Sequence, residues 1–484
     1  MSVETDSLPS PTLYNVESVQ QTLREKIMTT ATSTSELTSF NPATGEPVGH
    51  VPVTPVAEID SIVAKARTAQ SSWAAMTLEE RITILRKATD IMKARQESIA
   101  EQLTAEMGKT LKEATGEIAY GIGGYDAELD EIVDAVRPET HEDERTTSTL
   151  YHDPLGVCAA ITPWNFPFLM PLQVVVPALA SGNTVVMKPS DETPLTGQAF
   201  AEIFMEVLPE NVMQIIHGGD DQGKALVKSD VNLIAFVGSR AAGQHILSTA
   251  GADLKRVVLE LGGKDPMIVL SDADVDAAAD FAVNNSFRNC GQVCVSTERI
   301  YVENDIAEEF EQAVIERTKA LTVGNGVDDE TKIGPMISRQ QKDHVLAQLE
   351  RAKQEGATVA CGDEPAEGNF VVPTVLTGLN HDMQIMRDET FGPIACIMRV
   401  ADADEAVTLA NDTPYGLGAA VYGEADRAAQ VARRLTAGMT GVNQGCGGAS
   451  GTPWVGAQQS GYGYHSGRDG HRQFTQVRLV SQPK

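Results

Sequence analysis

The string Phe287-Arg288-Asn289-Cys290-Gly291-Gln292-Val293-Cys294 sets two thiols and a glycine among polar residues, directly after a stretch with helical patterning. Such a connection can present a thiol on a tight exposed turn. A thiolate can attack a carbonyl carbon and later leave when the resulting thioester is hydrolysed. Either cysteine taken alone is more often a buried apolar residue, and a pair this far apart without a ligand cluster is poor support for zinc. Glu260 heads the string Glu260-Leu261-Gly262-Gly263-Lys264 after an apolar strand. It can supply the base this chemistry needs, because an ordinary thiol is mostly protonated near neutral pH; it can also be one carboxylate among many in an acidic chain. Asn165, within Pro163-Trp164-Asn165-Phe166-Pro167, can donate its side-chain N–H to an oxyanion while Trp164 and Phe166 hold the loop. The alternative is a turn amide beside proline.

Two further strings suit a nucleotide. Phe236 to Gly243, FVGSRAAG, reads as strand, glycine turn and helix, so that backbone N–H groups at a helix start face a pyrophosphate. It lacks the full glycine-rich dinucleotide fingerprint. Lys188-Pro189-Ser190-Asp191 also follows an apolar strand. Lys188 can hold a ribose hydroxyl, and Asp191 disfavours an added 2′-phosphate by like-charge repulsion.

These groups need a large scaffold. A chain of 484 residues is long enough for two lobes with separate cores. Helical spacing appears over 56–75, 78–107 and 111–136. After a polar segment at 138–148, strands and helices alternate: strands over 157–161, 212–216 and 233–236, and a helix near 223–227. A second alternating region starts with strands at 256–259 and 267–269 and continues with helix 275–286, strand 299–302 and helix 306–321. This order predicts α/β lobes with mostly parallel sheets and a ligand cleft beyond their strand ends. Residues 1–37 read as a flexible N-terminal extension with one short helix around 16–28.

Asp plus Glu outnumber Lys plus Arg by 67 to 38, a formal charge of -29. Such a surface repels nucleic acid and anionic membranes, so neither is expected as a partner. The spread of acid along the chain favours a salt-loving, halophilic host over an ordinary acidic enzyme. Six cysteines are too few for a disulfide scaffold, the start lacks a secretory pattern, and the apolar run at 168–179 is broken by Pro171, Gln173 and Pro177. The expected location is cytoplasmic.

Together, in this order and spacing, the five strings resemble the aldehyde dehydrogenase superfamily from about Phe40 through Val477. The resemblance implies an aldehyde dehydrogenase-like α/β fold. Its nucleotide-binding domain would span 38–137 and 157–259, its catalytic domain 260–450, and its small antiparallel oligomerisation element with the C-terminal segment 138–156 and 451–484. A homodimer or homotetramer is implied, acting on an aldehyde substrate with NAD, which Asp191 favours, or NADP, and without a metal. Carried over residue by residue, the family pattern makes Cys294 the nucleophile, Cys290 a bystander, Glu260 the general base, and the Asn165 side chain with the Cys294 N–H the oxyanion site. Lys188, Ser190 and Asp191 would face the adenosine ribose, and Gly238, Ser239 and Gly243 the pyrophosphate, with Ile161, Trp164 and Leu261 also against the cofactor. Glu389-Thr390-Phe391-Gly392-Pro393 resembles the segment receiving the nicotinamide half, Glu389 bonding its ribose and Phe391 packing beside it.

Phe166, Gln173, Arg288 and His465 are the implied substrate-binding residues. Arg288 matches an arginine that, in relatives acting on succinate semialdehyde, receives the distal carboxylate. Such relatives carry a second arginine where this chain has Gln173, which weakens the match. Tyr464-His465 replaces a common arginine-glutamate pair. The alternatives to a general aldehyde dehydrogenase are a succinate-semialdehyde-specific enzyme, a coenzyme A-acylating enzyme, and an inactive ligand-binding homologue.

Overall fold

The computed structural model describes residues 35–484. The helix expected around 16–28 lies outside them. Chain order begins with the strand Glu36–Phe40, antiparallel to Pro47–Pro52, so Leu37 already belongs to a hairpin rather than to an extension.

Three helices follow, Ile59–Ala75, Leu78–Met107 and Leu111–Val136. The last two start at capping boxes, Thr77 with Glu80 and Thr110 with Glu113, each reciprocally satisfying backbone N–H groups that a helix start leaves open. Gly108 ends the second of them at φ 92°, and a Cβ there would sit 2.7 Å from the rings of Pro42 and Pro335. Both the turn and the space therefore demand glycine.

The first sheet has six strands in the spatial order Gly461–Tyr462, Arg256–Glu260, Leu233–Val237, Val157–Ile161, Thr184–Lys188 and Met213–Ile215. All its pairings are parallel except that of the short Gly461–Tyr462 strand. The pattern alone groups 256–259 with the second lobe. The structure instead pairs Arg256–Glu260 with Leu233–Val237, Val237 opposite Glu260. Buried parallel strands are uniformly apolar in either lobe, so only the pairing decides membership.

Seven strands form the second sheet, in the order Thr358–Cys361, Thr374–Thr377, Ile394–Val400, Thr297–Glu303, Asp265–Val269, Gly418–Tyr422 and Met439–Val442. Only its edge strand Thr358–Cys361 is antiparallel. A third sheet joins Thr475–Pro483, Thr146–Pro154 and Glu139–Glu142, all antiparallel. This is the small β-element of the expected fold, and part of the polar segment 138–148 is strand within it. Separate cores pack on the two large sheets, one around Tyr125, Phe168, Phe200 and Val258, the other around Ile268, Phe287, Tyr301 and Phe310. No helix among the described residues is long and apolar enough to cross a membrane.

Candidate functional site

A cavity of about 700 Å³ lies where the carboxyl ends of the first sheet meet the second lobe. Ile161, Lys188 and Glu260 each end a strand of the first sheet, and all three line it. Cys294, Glu389, Phe391 and Leu417 line it from the other side. Ligands in open α/β sheets collect in this position.

The loop after Val157–Ile161 carries Asn165. Its backbone carbonyl accepts hydrogen bonds from Lys109 Nζ at 2.8 Å and Asn289 Nδ2 at 3.2 Å. Lys109 also pairs with Glu117 at 2.6 Å, both groups fully buried, and sits 4.1 Å from the Phe166 ring centroid. Glu117 in turn accepts from the N–H groups of Phe168 and Leu169. The buried ion pair thus holds the Asn165 loop at both ends. Asn165 Nδ2 donates one hydrogen to the Gln292 carbonyl at 3.1 Å, leaving a second for a ligand.

Asn289, Cys290 and Gly291 are consecutive left-handed residues, φ 51°, 56° and 70°. A Cβ on Gly291 would lie 2.2 Å from the Gly392 carbonyl oxygen. Glu113 accepts from the Asn289 N–H at 2.7 Å, and Gln292 Oε1 accepts from Ile337 N–H at 2.9 Å, so this strained connection is held from two sides. It turns Cys290 into the core, 3.5 Å from the Met336 sulfur, and leaves Cys294 half-buried at the cavity wall. Burial, followed by the carboxyls of Asp265, Glu260 and Glu389, pushes the Cys294 thiol up to about 12, while Arg288 pulls the other way.

Glu260 is buried, and both its carboxyl oxygens lack a hydrogen-bond partner among the described residues. Burial holds its pKa well above the usual carboxylate range. A desolvated carboxyl facing a cavity holds its proton more tightly than an exposed one and can exchange it with a group in that cavity. Glu389 is raised to about 8 by burial and then Glu298, and accepts the Gly263 N–H at 3.1 Å. Its segment is fixed by a second buried pair, Lys264 with Glu298 at 2.6 Å, whose carboxylate accepts the N–H groups of Thr390 and Phe391. Trp164 and Phe391 then meet edge to face at 5.4 Å.

At the far end, Lys188 donates to the Pro189 carbonyl at 3.1 Å and keeps two N–H groups for a ligand. Burial lowers its pKa, with Asp191 and Asp220 opposing. Ser190, Asp191, Gly238, Ser239, Trp164, Phe166 and Leu261 also line the cavity. Ser239 caps the helix Arg240–Ala250 by accepting the Ala242 N–H, so a helix start faces the groove. Gly243 packs behind it, where a Cβ would come within 2.5 Å of Leu261. Lysine, capped helix start, glycine floor and buried glutamate together suit an extended dinucleotide.

Three expected substrate residues stand outside the cavity lining. Gln173 accepts from Ser466 Oγ at 2.7 Å and donates to Glu128 at 3.5 Å. His465 stacks behind Trp454 and is pushed down to about 3 by burial and then by His471. Arg288 is exposed and makes no ion pair among the described residues. The supporting pairs were not read from sequence, although charge inside apolar patterning marks them: Glu117 falls in the stripe of Ala114, Ile118, Gly121 and Ile122, and Glu298 in a wholly buried strand.

The profile of the aldehyde dehydrogenase family matches residues 28–480. A probable succinate-semialdehyde dehydrogenase [NADP(+)] from Sinorhizobium fredii is 37% identical over 451 residues, 91% of each chain. Among solved structures, an E. coli NADP-dependent enzyme superposes with a TM-score of 0.90 at 33% identity, covering 93% of this chain and 95% of that one. A point mutant of Staphylococcus aureus betaine aldehyde dehydrogenase, in complex with NAD+, gives 0.89 at 33% identity and covers 93% and 94%.

Proposed function

This chain belongs to the aldehyde dehydrogenase family, and from that premise we propose that it oxidises an aldehyde to a carboxylic acid through a thiohemiacetal and then a thioester on Cys294. The carrying observation is the shared cavity wall of a half-buried thiol, a buried carboxyl with no partner, and an amide with a hydrogen to spare. The Cys294 thiol gives its proton to the ionised form of Glu260, which passes it on to solvent, and the sulfur attacks the aldehyde carbon. Asn165 Nδ2 and the Cys294 N–H donate to the oxygen that gains charge, held in place beforehand by the Lys109–Glu117 pair. The chemistry that a bound nicotinamide dinucleotide supplies there is hydride acceptance, which leaves the acyl group as a thioester on Cys294. Glu260 then takes a proton from a water whose oxygen bonds to the acyl carbon, the C–S bond breaks, and the acid departs as the Cys294 sulfur takes that proton back.

Lys188, Ser190, Asp191, Gly238 and Ser239 would hold the adenosine and pyrophosphate, and Glu389 and Phe391 the nicotinamide ribose. Family members use NAD or NADP. Asp191 and Asp220 beside Lys188 favour NAD here, because a 2′-phosphate would enter a field that is already negative. Exposed Val477, Leu479 and Val480 on the outer strand Thr475–Pro483 support a homo-oligomer built on the third sheet.

A second reading, a preference for succinate semialdehyde, is favoured by Arg288, exposed and without an ion pair among the described residues, and by the activity named for the S. fredii relative. Reduced-cofactor formation with NAD or NADP, at low and high KCl, over succinate semialdehyde, an aliphatic and an aromatic aldehyde tests both. Turnover should vanish in Cys294→Ala. If Arg288 reads a distal carboxylate, Arg288→Ala raises KM for succinate semialdehyde alone; an equal effect on neutral aldehydes removes that assignment.

A further inference from the structure

Sequence proximity suggests Cys290 as the thiol partner of Cys294, and the fold separates them: Cys290 is buried against Met336. The thiol that shares Cys294's surroundings is Cys446, more than a hundred residues away. Both are half-buried and pack, with Phe166 and Trp454, on the same small apolar cluster of Val293, Val295, Leu417 and Met439. Cys446 sits in the segment Gly445-Cys446-Gly447-Gly448, with Gly451 three residues beyond. Gly447 takes φ 122°, with open space where a side chain would stand.

Asp265, a carboxyl that the aldehyde chemistry does not use, stands close enough to both thiols to act on the charge of each. A Cβ on Gly418 would lie 2.3 Å from Asp265 Oδ2 and 2.6 Å from Cys446 Sγ. A Cβ on Gly263 would lie 2.5 Å from Asp265 Oδ1 and 2.7 Å from the Cys294 carbonyl oxygen. The carboxyl thus lies near the Cys446 sulfur on one side and the Cys294 backbone on the other, and its buried Oδ2 has no hydrogen-bond partner among the described residues.

We propose that Cys446 is a resolving thiol that closes a reversible disulfide with Cys294 after oxidation by a hydroperoxide, with Asp265 relaying the proton, so that the nucleophile escapes irreversible oxidation. In the first step the Cys294 sulfur attacks the peroxide, the O–O bond breaks, an alcohol or water leaves, and Cys294 becomes a sulfenic acid. In the second, the Cys446 sulfur attacks the Cys294 sulfur, the S–O bond breaks, and the hydroxyl leaves as water. Asp265, whose protonated form burial favours, gives its proton to the leaving hydroxyl and receives the Cys446 thiol proton in exchange. Two thiols lose two electrons to one peroxide bond, and a small thiol reductant reverses the closure. The proposal takes from the proposed activity only that Cys294 is the reactive thiol.

Peptide mass mapping of the full chain after stoichiometric hydrogen peroxide tests it. The expected product is a Cys294–Cys446 cross-linked peptide, with turnover lost and then recovered in dithiothreitol. In Cys446→Ser, turnover before oxidation stays near that of the parent, whereas a second equivalent of peroxide carries the unresolved Cys294 sulfenic acid on to sulfinic acid, which dithiothreitol no longer rescues. Asp265→Asn should slow disulfide closure about tenfold while leaving dimedone trapping of the sulfenic acid unchanged. Sulfinic acid on Cys294 at equal rates in parent and Cys446→Ser, or a cross-link to Cys290, overturns the proposal. Peptide masses report the cross-link whether or not an aldehyde is turned over, so failure here is separable from failure of the proposed activity.

Discussion

Replacing Lys109 by Met tests how far the site depends on a residue that touches no substrate. Both partners of the Lys109–Glu117 pair are 1% exposed, so the substitution strands a carboxylate away from water. Losing one partner of a buried pair destabilises by about 3–5 kcal/mol, because the remaining charge is uncompensated. Glu117 keeps its two backbone donors, Phe168 and Leu169, which places the expectation near the lower bound. Asn165 O keeps only the 3.2 Å bond from Asn289, so the amide proposed as oxyanion donor drifts, and kcat should fall about 10–100-fold. The double variant Lys109→Met/Glu117→Gln removes the stranded charge. It should recover most of the stability, read by urea unfolding followed through tryptophan fluorescence, and little of kcat, read by reduced-cofactor formation. A single variant that loses under about 1 kcal/mol, or keeps the parent's kcat, refutes the positioning argument.

Three other expectations follow from the same geometry. Burial raises the folded-state pKa of Glu260, so its neutral form is favoured in the native protein and its contribution to stability is lost as pH rises through that value. Glu260→Gln should therefore raise the melting midpoint more at pH 8 than at pH 5, while abolishing the acid limb of the hydrolysis rate. Gly291→Ala meets both φ 70° and a backbone oxygen 2.2 Å from the new Cβ; strain alone is about 1–3 kcal/mol, and iodoacetamide labelling of Cys294 should change with it. Asp191→Ser should tighten NADP binding about tenfold with little change for NAD, measured by quenching of tryptophan fluorescence; equal shifts for both cofactors would contradict the like-charge argument.

Much of this was legible in the residue pattern. The helices Leu78–Met107 and Leu111–Val136 announce themselves by apolar residues recurring three and four apart. Cys294, Glu260, Asn165, Lys188 and Glu389 share one cavity, although they come from five separate stretches of chain. What the pattern could not carry is pairing in space. The strand Arg256–Glu260 has the same apolar character as its counterparts in the other sheet, so its membership rests on register. Gln173 and His465 point to polar partners behind the cavity wall, Ser466 and Glu128 for one and Ser466 for the other, and no one-dimensional spacing distinguishes a wall from its backing. Lys109 reads as an ordinary lysine until its buried carboxylate, eight residues on, is seen beside it, and the partner of Lys264, thirty-four residues on, is visible only in space.

The central claim is that Cys294 carries the acyl group and Glu260 releases it. Rapid mixing of Glu260→Gln with cofactor and aldehyde, quenched for peptide mass mapping, tests both halves at once. The account predicts a burst of reduced cofactor stoichiometric with enzyme, followed by arrest with an acyl adduct on the Cys294 peptide. Sustained turnover without a burst, or an adduct on Cys290 or any other residue, would contradict it.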